Sequence, residues 1–380
     1  MKPLRRHRLA KGLVVAVLLM AACEVGCRAL FGPPPAFDLH SRVSQCALEI
    51  GDDEAALSCP ASTDAPPRFP LDPQGRQRVL VFGGSSMVQP RGASVPELLQ
   101  RTLGPEVEVL SLAVPGMGVA NVARLVSESR ALSPDLVVLY TGHNDYSQDT
   151  FRGAITGTRL WLLPVYALLR ESWIHALLSR GRMAAGGPVK VNRPMIVATD
   201  DDLALHKREQ VNERLRADLE LALASSPAAV LLSTLLRNSE APPTGTLTDS
   251  PACEEALQQL ARADPLTEAL ERSEALCGEG SLTWWLRSRV LLAQGREREA
   301  AEAFDRSLDL DPVPLRAPAE TDRIIRELGQ RPGVRVVDME LPFGHMPEGR
   351  YFTDTLHLSA EGAEAVAEVL APAVREELGL

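Results

Sequence analysis

The chain has 380 residues, of which 45% are hydrophobic, and carries a formal charge of −10 at neutral pH. Enough apolar residues are present to bury a core, which excludes a disordered chain, and the acidic balance excludes the basic face of a nucleic-acid binder. The length admits one large domain or two modest ones.

The first element reads as an export segment. Lys2, Arg5, Arg6, Arg8 and Lys11 precede an uncharged, mostly apolar run from Gly12 to Ala22, which ends in a small pair before Cys23. A basic start, an apolar core and small residues are the layout of a segment that directs translocation. That core is shorter than the roughly 20 residues a spanning helix needs, yet apolar character resumes after Glu24 and reaches Phe31, broken by Arg28. Two readings stand. Met20-Ala21-Ala22-Cys23 resembles a bacterial lipobox, which would place a lipid on Cys23; alternatively residues 1–31 remain as a signal anchor with the basic end in the cytoplasm. Both tether the protein to the membrane, with the rest of the chain on the extracytoplasmic side of a bacterial cell envelope.

Residues 32–77 are rich in Pro, Asp and Ala, with breakers at Pro33-Pro34-Pro35 and Pro66-Pro67, and are expected to be an extracytoplasmic spacer without a periodic apolar face. Beyond them, short apolar runs alternate with helical patterns: Val79 to Phe82, Val107 to Leu112, Leu136 to Tyr140, Val230 to Leu236 and Val334 to Val337. Continuous Val, Ile and Leu runs of this length belong to a parallel sheet buried on both faces. The predicted fold is α/β, a three-layer α/β/α sandwich around a parallel sheet, in two parts, residues 78–249 and 319–380.

Two stretches stand outside the alternation. Leu160 to Leu178 has the pattern of an amphipathic helix bearing Trp161, Tyr166 and Trp173, a set suited either to a membrane surface or to packing on the rest of the domain. Residues 250–318 read as a helical insertion. There Trp284, Gly295, Ala300, Phe304 and Pro312 stand at tetratricopeptide spacing, with Ser288, Leu291 and Ser307 in place of the usual residues. One repeat is too few for a solenoid, so the expectation is a helical hairpin packed on the main domain; a protein-binding array is the alternative. Of six cysteines, Cys46 and Cys59 are close in sequence and Cys253 and Cys277 bracket a helical stretch, so two local disulfides are expected in an oxidising compartment.

Four fragments could carry chemistry. Val79 to Phe82 runs into Gly83-Gly84-Ser85-Ser86, where glycines allow a turn that exposes a serine at a strand end; a plain helix N-cap is the simpler account. After the next strand, Gly116 lies in Leu112-Ala113-Val114-Pro115-Gly116-Met117-Gly118 and could offer a backbone N–H to an oxyanion, or be a loop glycine. After the third, Asn144 in Thr141-Gly142-His143-Asn144-Asp145 could supply a second donor, or form an Asx turn. Lastly, Asp354 stands three residues before His357, ahead of a closing amphipathic helix from Ala360 to Leu378, a spacing that can set a carboxylate on one ring nitrogen. His345 has no acid at useful spacing, and no His, Asp or Glu cluster suggests a metal.

In their joint order these fragments resemble the SGNH/GDSL hydrolase family, whose blocks supply Ser, Gly, Asn and Asp-x-x-His in this sequence. The resemblance covers Arg78 to about Thr150, then Ala229 to Ser239 and Val334 to Leu380 more loosely, and is nearest to membrane-anchored bacterial members with a late helical insertion. Gly84 stands where the family has Asp, and Ser111-Leu112-Ala113 replaces an Asn-containing lead. The resemblance implies a serine esterase or acyl hydrolase, with Ser85 as nucleophile, His357 as base and Asp354 orienting it. Ser85, Gly116 and Asn144 would form the oxyanion hole, and no cofactor would be needed. Ester-bearing glycans or lipids are the implied substrates. An O-acyltransferase using the same residues, or a silent scaffold whose helical region binds a partner, are the rival readings.

Overall fold

The structure is a computed structural model that describes residues 21–30, 46–59, 66–88, 92–146, 201–244, 252–253, 259–262, 265–311 and 315–380. The chain divides into two compact units. The first, Met1–Arg42 with Ile155–Val191, is described only at residues 21–30, which are helical. The amphipathic pattern from Leu160 to Leu178 lies outside the described residues. All that follows concerns the second unit, Val43–Ala154 with Asn192–Leu380.

Three strands, β1 (Ala47–Ile50), β2 (Glu54–Ser58) and β3 (Arg68–Pro70), form an antiparallel sheet in the stretch expected to be a spacer. The expectation failed because the apolar alternation is short and is completed only by partners far away in the chain. Leu48, Ala55, Leu57 and Phe69 are buried, the Leu48 N–H donates to Glu128, and Arg124 donates to the Cys46 carbonyl. The Cys46–Cys59 disulfide closes the sheet's ends, and Cys253–Cys277 is also formed.

The main body contains β4 (Gln77–Gly83), a four-residue α1 (Ser85–Val88), α2 (Val95–Leu103), β5 (Val107–Ser111), α3 (Val119–Glu128), β6 (Leu136–Tyr140), α4 (Asp201–Ser225) and β7 (Ala229–Ser233). It continues through α5 (Leu266–Cys277), α6 (Ser281–Ala293), α7 (Glu297–Leu310), α8 (Ala319–Leu328), β8 (Val334–Val337) and α9 (Ala360–Leu378). The five strands β4 to β8 make one parallel sheet in the order β5-β4-β6-β7-β8. Every residue of β6 is buried, as are Val79 to Phe82 of β4, because helices cover both faces. One layer holds α2 packed on α9; the other holds α3 on α4 and α8 on α4. That division is what right-handed crossovers require, since β4 to β5 runs one way across the sheet and β5 to β6, β7 and β8 runs the other. The α/β/α sandwich expected from the apolar runs is the observed fold.

The winding reverses between β4 and β6, so the loops leaving these two neighbours diverge and open a crevice at their carboxyl ends. The helices α5 to α7 pack as a helical group with a core of its own, where Trp285, Phe304 and Leu308 are buried. Ser281 at the start of α6 accepts from Ser307 near the end of α7, which sets these two helices antiparallel. Gly295 turns between them with φ +73°.

Candidate active site

Ser85 sits at the mouth of the crevice. β4 ends at Gly83, Gly84 follows, and Ser85 opens α1, so the nucleophile candidate is set by the end of a buried central strand. Ser85 is largely buried, with 9% of the residue exposed. The adjacent Ser86 hydroxyl donates to the Leu356 carbonyl at 3.2 Å, tying this turn to the loop before α9.

That loop presents Asp354 and His357. His357 Nε2 lies 2.8 Å from Ser85 Oγ, and His357 Nδ1 lies 2.6 Å from Asp354 Oδ2. Asp354 Oδ1 accepts from the backbone N–H of Leu356 at 2.9 Å and of His357 at 2.8 Å. Partial burial works to raise the Asp354 carboxyl, but these N–H groups and the His357 ring hold it below its usual range, so it remains a carboxylate. An ionised Asp354 on Nδ1 keeps the proton there and leaves Nε2 as the acceptor facing Ser85. The loop closes on itself through a bridge between Phe352 and Leu358 and through Thr353 N–H donating to the His357 carbonyl at 2.8 Å. Ser359 then caps α9, accepting from the Gly362 N–H at 3.1 Å.

The other two fragments meet Ser85 from the neighbouring strand ends. Val114 to Met117 is a tight turn in which the Met117 N–H returns to the Val114 carbonyl at 3.0 Å, with Pro115 at its second position and Gly116 at φ +78°. That positive φ is why glycine stands at 116. Asn144, beyond β6, donates through Nδ2 to the Met117 carbonyl at 3.0 Å. The same Nδ2 occupies the place a side chain at 84 would need, because a Cβ on Gly84 would fall 2.3 Å from it. The departure from the family pattern at Gly84 is thereby given a physical role: the missing side chain makes room for the Asn144 amide against the nucleophile turn. Asp145 accepts from the Val119 N–H at 2.9 Å, placing a carboxylate at the start of α3 and fixing the turn that carries Asn144.

Among the predicted site residues, Ser85, His357 and Asp354 are in one hydrogen-bonded line, and Asn144 bonds the Gly116 turn and lies against Gly84, next to Ser85. Cys23 lies in the helical residues 21–30 and is exposed. His345 departs from expectation: Nε2 is 3.1 Å from Asp305 of α7 and Nδ1 is 2.8 Å from Glu340. The hydrogen bonds to Asp305 and Glu340 push it up to about 10, so at neutral pH it is a cation clamped by two carboxylates and unsuited to act as a base. Glu340 precedes His345 on the same stretch of chain, but Asp305 arrives from another helix, which spacing along the chain could not show. His143 is buried beside the site; desolvation first, with the Arg237 charge, pushes it down to about 3, and its Nδ1 accepts from the Ala317 N–H at 3.1 Å. Sequence reasoning missed Ser86 and also Asn238, whose Nδ2 donates to the Asp354 carbonyl at 2.7 Å.

No protein-family model matches the chain, and no curated protein does. Among solved structures it is similar to a GDSL-like lipase from Bacteroides thetaiotaomicron (13% identity, 81% of this chain and 92% of that one, TM-score 0.34). It is also similar to a carbohydrate acetylesterase family member from Sinorhizobium meliloti (15% identity, 80% of this chain and 100% of that one, TM-score 0.34). A third is the M. smegmatis aryl esterase (13% identity, 79% of this chain and 99% of that one, TM-score 0.34).

Proposed function

We propose that the protein is a serine ester hydrolase of the SGNH/GDSL type, working through an acyl-Ser85 intermediate. The observation that carries this reading is the unbroken line from Ser85 Oγ through His357 to Asp354, at the crevice where the sheet reverses its winding. Ser85 Oγ attacks the ester carbonyl carbon while its proton passes to His357 Nε2, and the resulting imidazolium is stabilised by Asp354 on Nδ1. The negative charge that develops on the carbonyl oxygen is taken by the N–H groups of Ser85 and Gly116 and by the Asn144 amide. Collapse expels the alcohol with the proton from His357. Water, deprotonated by the same nitrogen, then releases the acid and restores Ser85.

The site acts on the extracytoplasmic side of a bacterial membrane, on ester groups of glycans or lipids, with residues 250–318 as a helical insertion between the two parts of the α/β domain. The basic start and apolar core support the placement, as do two disulfides in a chain that would be reduced in the cytosol. Among the described residues no helix is long and apolar enough to cross a membrane. A fluorophosphonate probe is expected to label wild type and to leave Ser85→Ala unlabelled. Labelling that persists in Ser85→Ala, or is missing from folded wild type, would refute the assignment.

A further inference from the structure

The segment that leaves β7 is neither helix nor strand, yet Thr234 to Ser239 are all buried. Buried irregular backbone is tolerated only where its polar groups find partners, and here they do. Leu235 N–H donates to Asp322 and Leu236 N–H to the Tyr140 hydroxyl, each at 3.0 Å. The Arg316 guanidinium donates to the Asn238 and Ala241 carbonyls, both at 2.7 Å, and to Pro242 at 3.1 Å. The Trp285 indole N–H of α6 donates to the Ser239 carbonyl at 3.0 Å. Arg316 also lies over the Phe304 ring of α7 at 5.6 Å. Trp285 of α6 and Arg316, from the loop after α7, thus grip this strap from one side.

On its other side the strap meets the catalytic loop. Asn238 Oδ1 accepts from the Glu240 N–H at 3.0 Å, which turns Nδ2 toward the Asp354 carbonyl, 2.7 Å away. The Asn238 N–H also points to the Thr355 carbonyl at 3.4 Å. Within the loop, the Phe352–Leu358 bridge and the Asp354 Oδ1 bonds to the Leu356 and His357 N–H groups set the local turn, and the Asn238 ties hold that turn from outside. A carboxylate displaced by about 1 Å loses much of its effect on the imidazole, since misplacement of that order can cost roughly a hundredfold in rate.

We infer that Asn238 is a positioning residue for the Asp354–His357 loop, and that Trp285 of the helical group and Arg316 of the loop that follows it brace Asn238's segment. The inference rests on the esterase reading for its effect on rate, but its geometric content stands apart from turnover. Full-length wild type, Asn238→Ala, Asn238→Asp and Trp285→Phe would be assayed with p-nitrophenyl acetate, with folding checked by circular dichroism and thermal melting. Asn238→Asp keeps the shape but loses the donor; Trp285→Phe keeps an aromatic ring in the helical core and loses only the N–H. A fall in kcat of roughly tenfold to a hundredfold with KM unchanged is expected for both Asn238 variants, and a smaller fall for Trp285→Phe. Independently of turnover, the low-field proton resonance of the Nδ1–H between His357 and Asp354 should be present in wild type and broadened or lost in Asn238→Ala. Unchanged kcat in either folded Asn238 variant, a rise in KM that accounts for the whole loss, or unfolding of both variants would overturn the positioning role. If wild type neither labels nor turns over, the esterase reading fails and the resonance alone decides the geometry: its absence from wild type, or its persistence unaltered in Asn238→Ala, overturns the inference.

Discussion

The two halves of the site are built in different ways. The nucleophile half is an extension of regular structure: β4 is paired on both sides, and Ser85 follows it after a single residue. The acid–base half is an irregular loop, 272 residues away from Ser85 in sequence at His357, held by hydrogen bonds from Ser86, from Asn238 and from within itself. Placement by backbone leaves no room for change at one or two positions and is indifferent elsewhere. Placement by side-chain ties spreads the dependence over residues that never approach a substrate.

The comparison can be broken first at the acid. Asp354→Asn keeps the loop's shape but offers Nδ1 an amide in place of a carboxylate, favouring the wrong tautomer; kcat on p-nitrophenyl acetate is expected to drop by roughly ten-thousandfold. A drop of tenfold or less would mean that His357 does not depend on it. On the nucleophile side, Gly84→Ala should cost roughly a hundredfold or more in kcat, because the new Cβ would drive the Asn144 amide from its seat and remove an oxyanion donor. Asn144→Ala in the same background should then add little, since the donor is already gone; additive losses would show that Gly84 acts otherwise.

Stability sharpens the contrast further. Replacing Cys253 and Cys277 by serine opens a link spanning 24 residues in the helical group and is expected to reduce unfolding free energy by about 3 kcal/mol in the chain-entropy model. Denaturant unfolding would measure it, and a loss in kcat beside the loss in stability would show the brace loosening the loop. The smallest effect belongs to His345, which joins Asp305 of α7 to Glu340. Its folded-state pKa is raised from 6.5 to about 10, so its contribution is complete below about 6.5 and shrinks as pH rises toward 10. The melting temperature of wild type should fall across that window more than that of His345→Gln; parallel curves would remove His345 from the account.

Much of the sheet was readable in the chain itself. A strand buried on both faces must be apolar at every position, and Val79 to Phe82 and Leu136 to Tyr140 are nearly that, so local composition was sufficient. The apolar run extends from Val230 to Leu236, but β7 stops at Ser233 because Leu235 and Leu236 bond to Asp322 and Tyr140 in place of a neighbouring strand. The disulfide pairs were readable because both are local in sequence.

What only the tertiary structure decided depends on partners brought from far along the chain. β1 packs against α3, whose Glu128 and Arg124 side chains bond the Leu48 N–H and the Cys46 carbonyl, and Leu48 and Phe69 are buried. Nothing in the local pattern could say so. His345 looked unsupported until α7 supplied Asp305, and Gly84 looked like a bare departure from a motif until Asn144 filled its space. Asn238 carries no local signal, being one of a run of polar residues beyond β7, and acquires its place only when Asp354 and Thr355 meet the segment that follows β7. Periodicity and composition report which side of an element is buried, since that depends on the element alone. Which residues meet depends on how elements cross, and that is set by the packing of the whole domain.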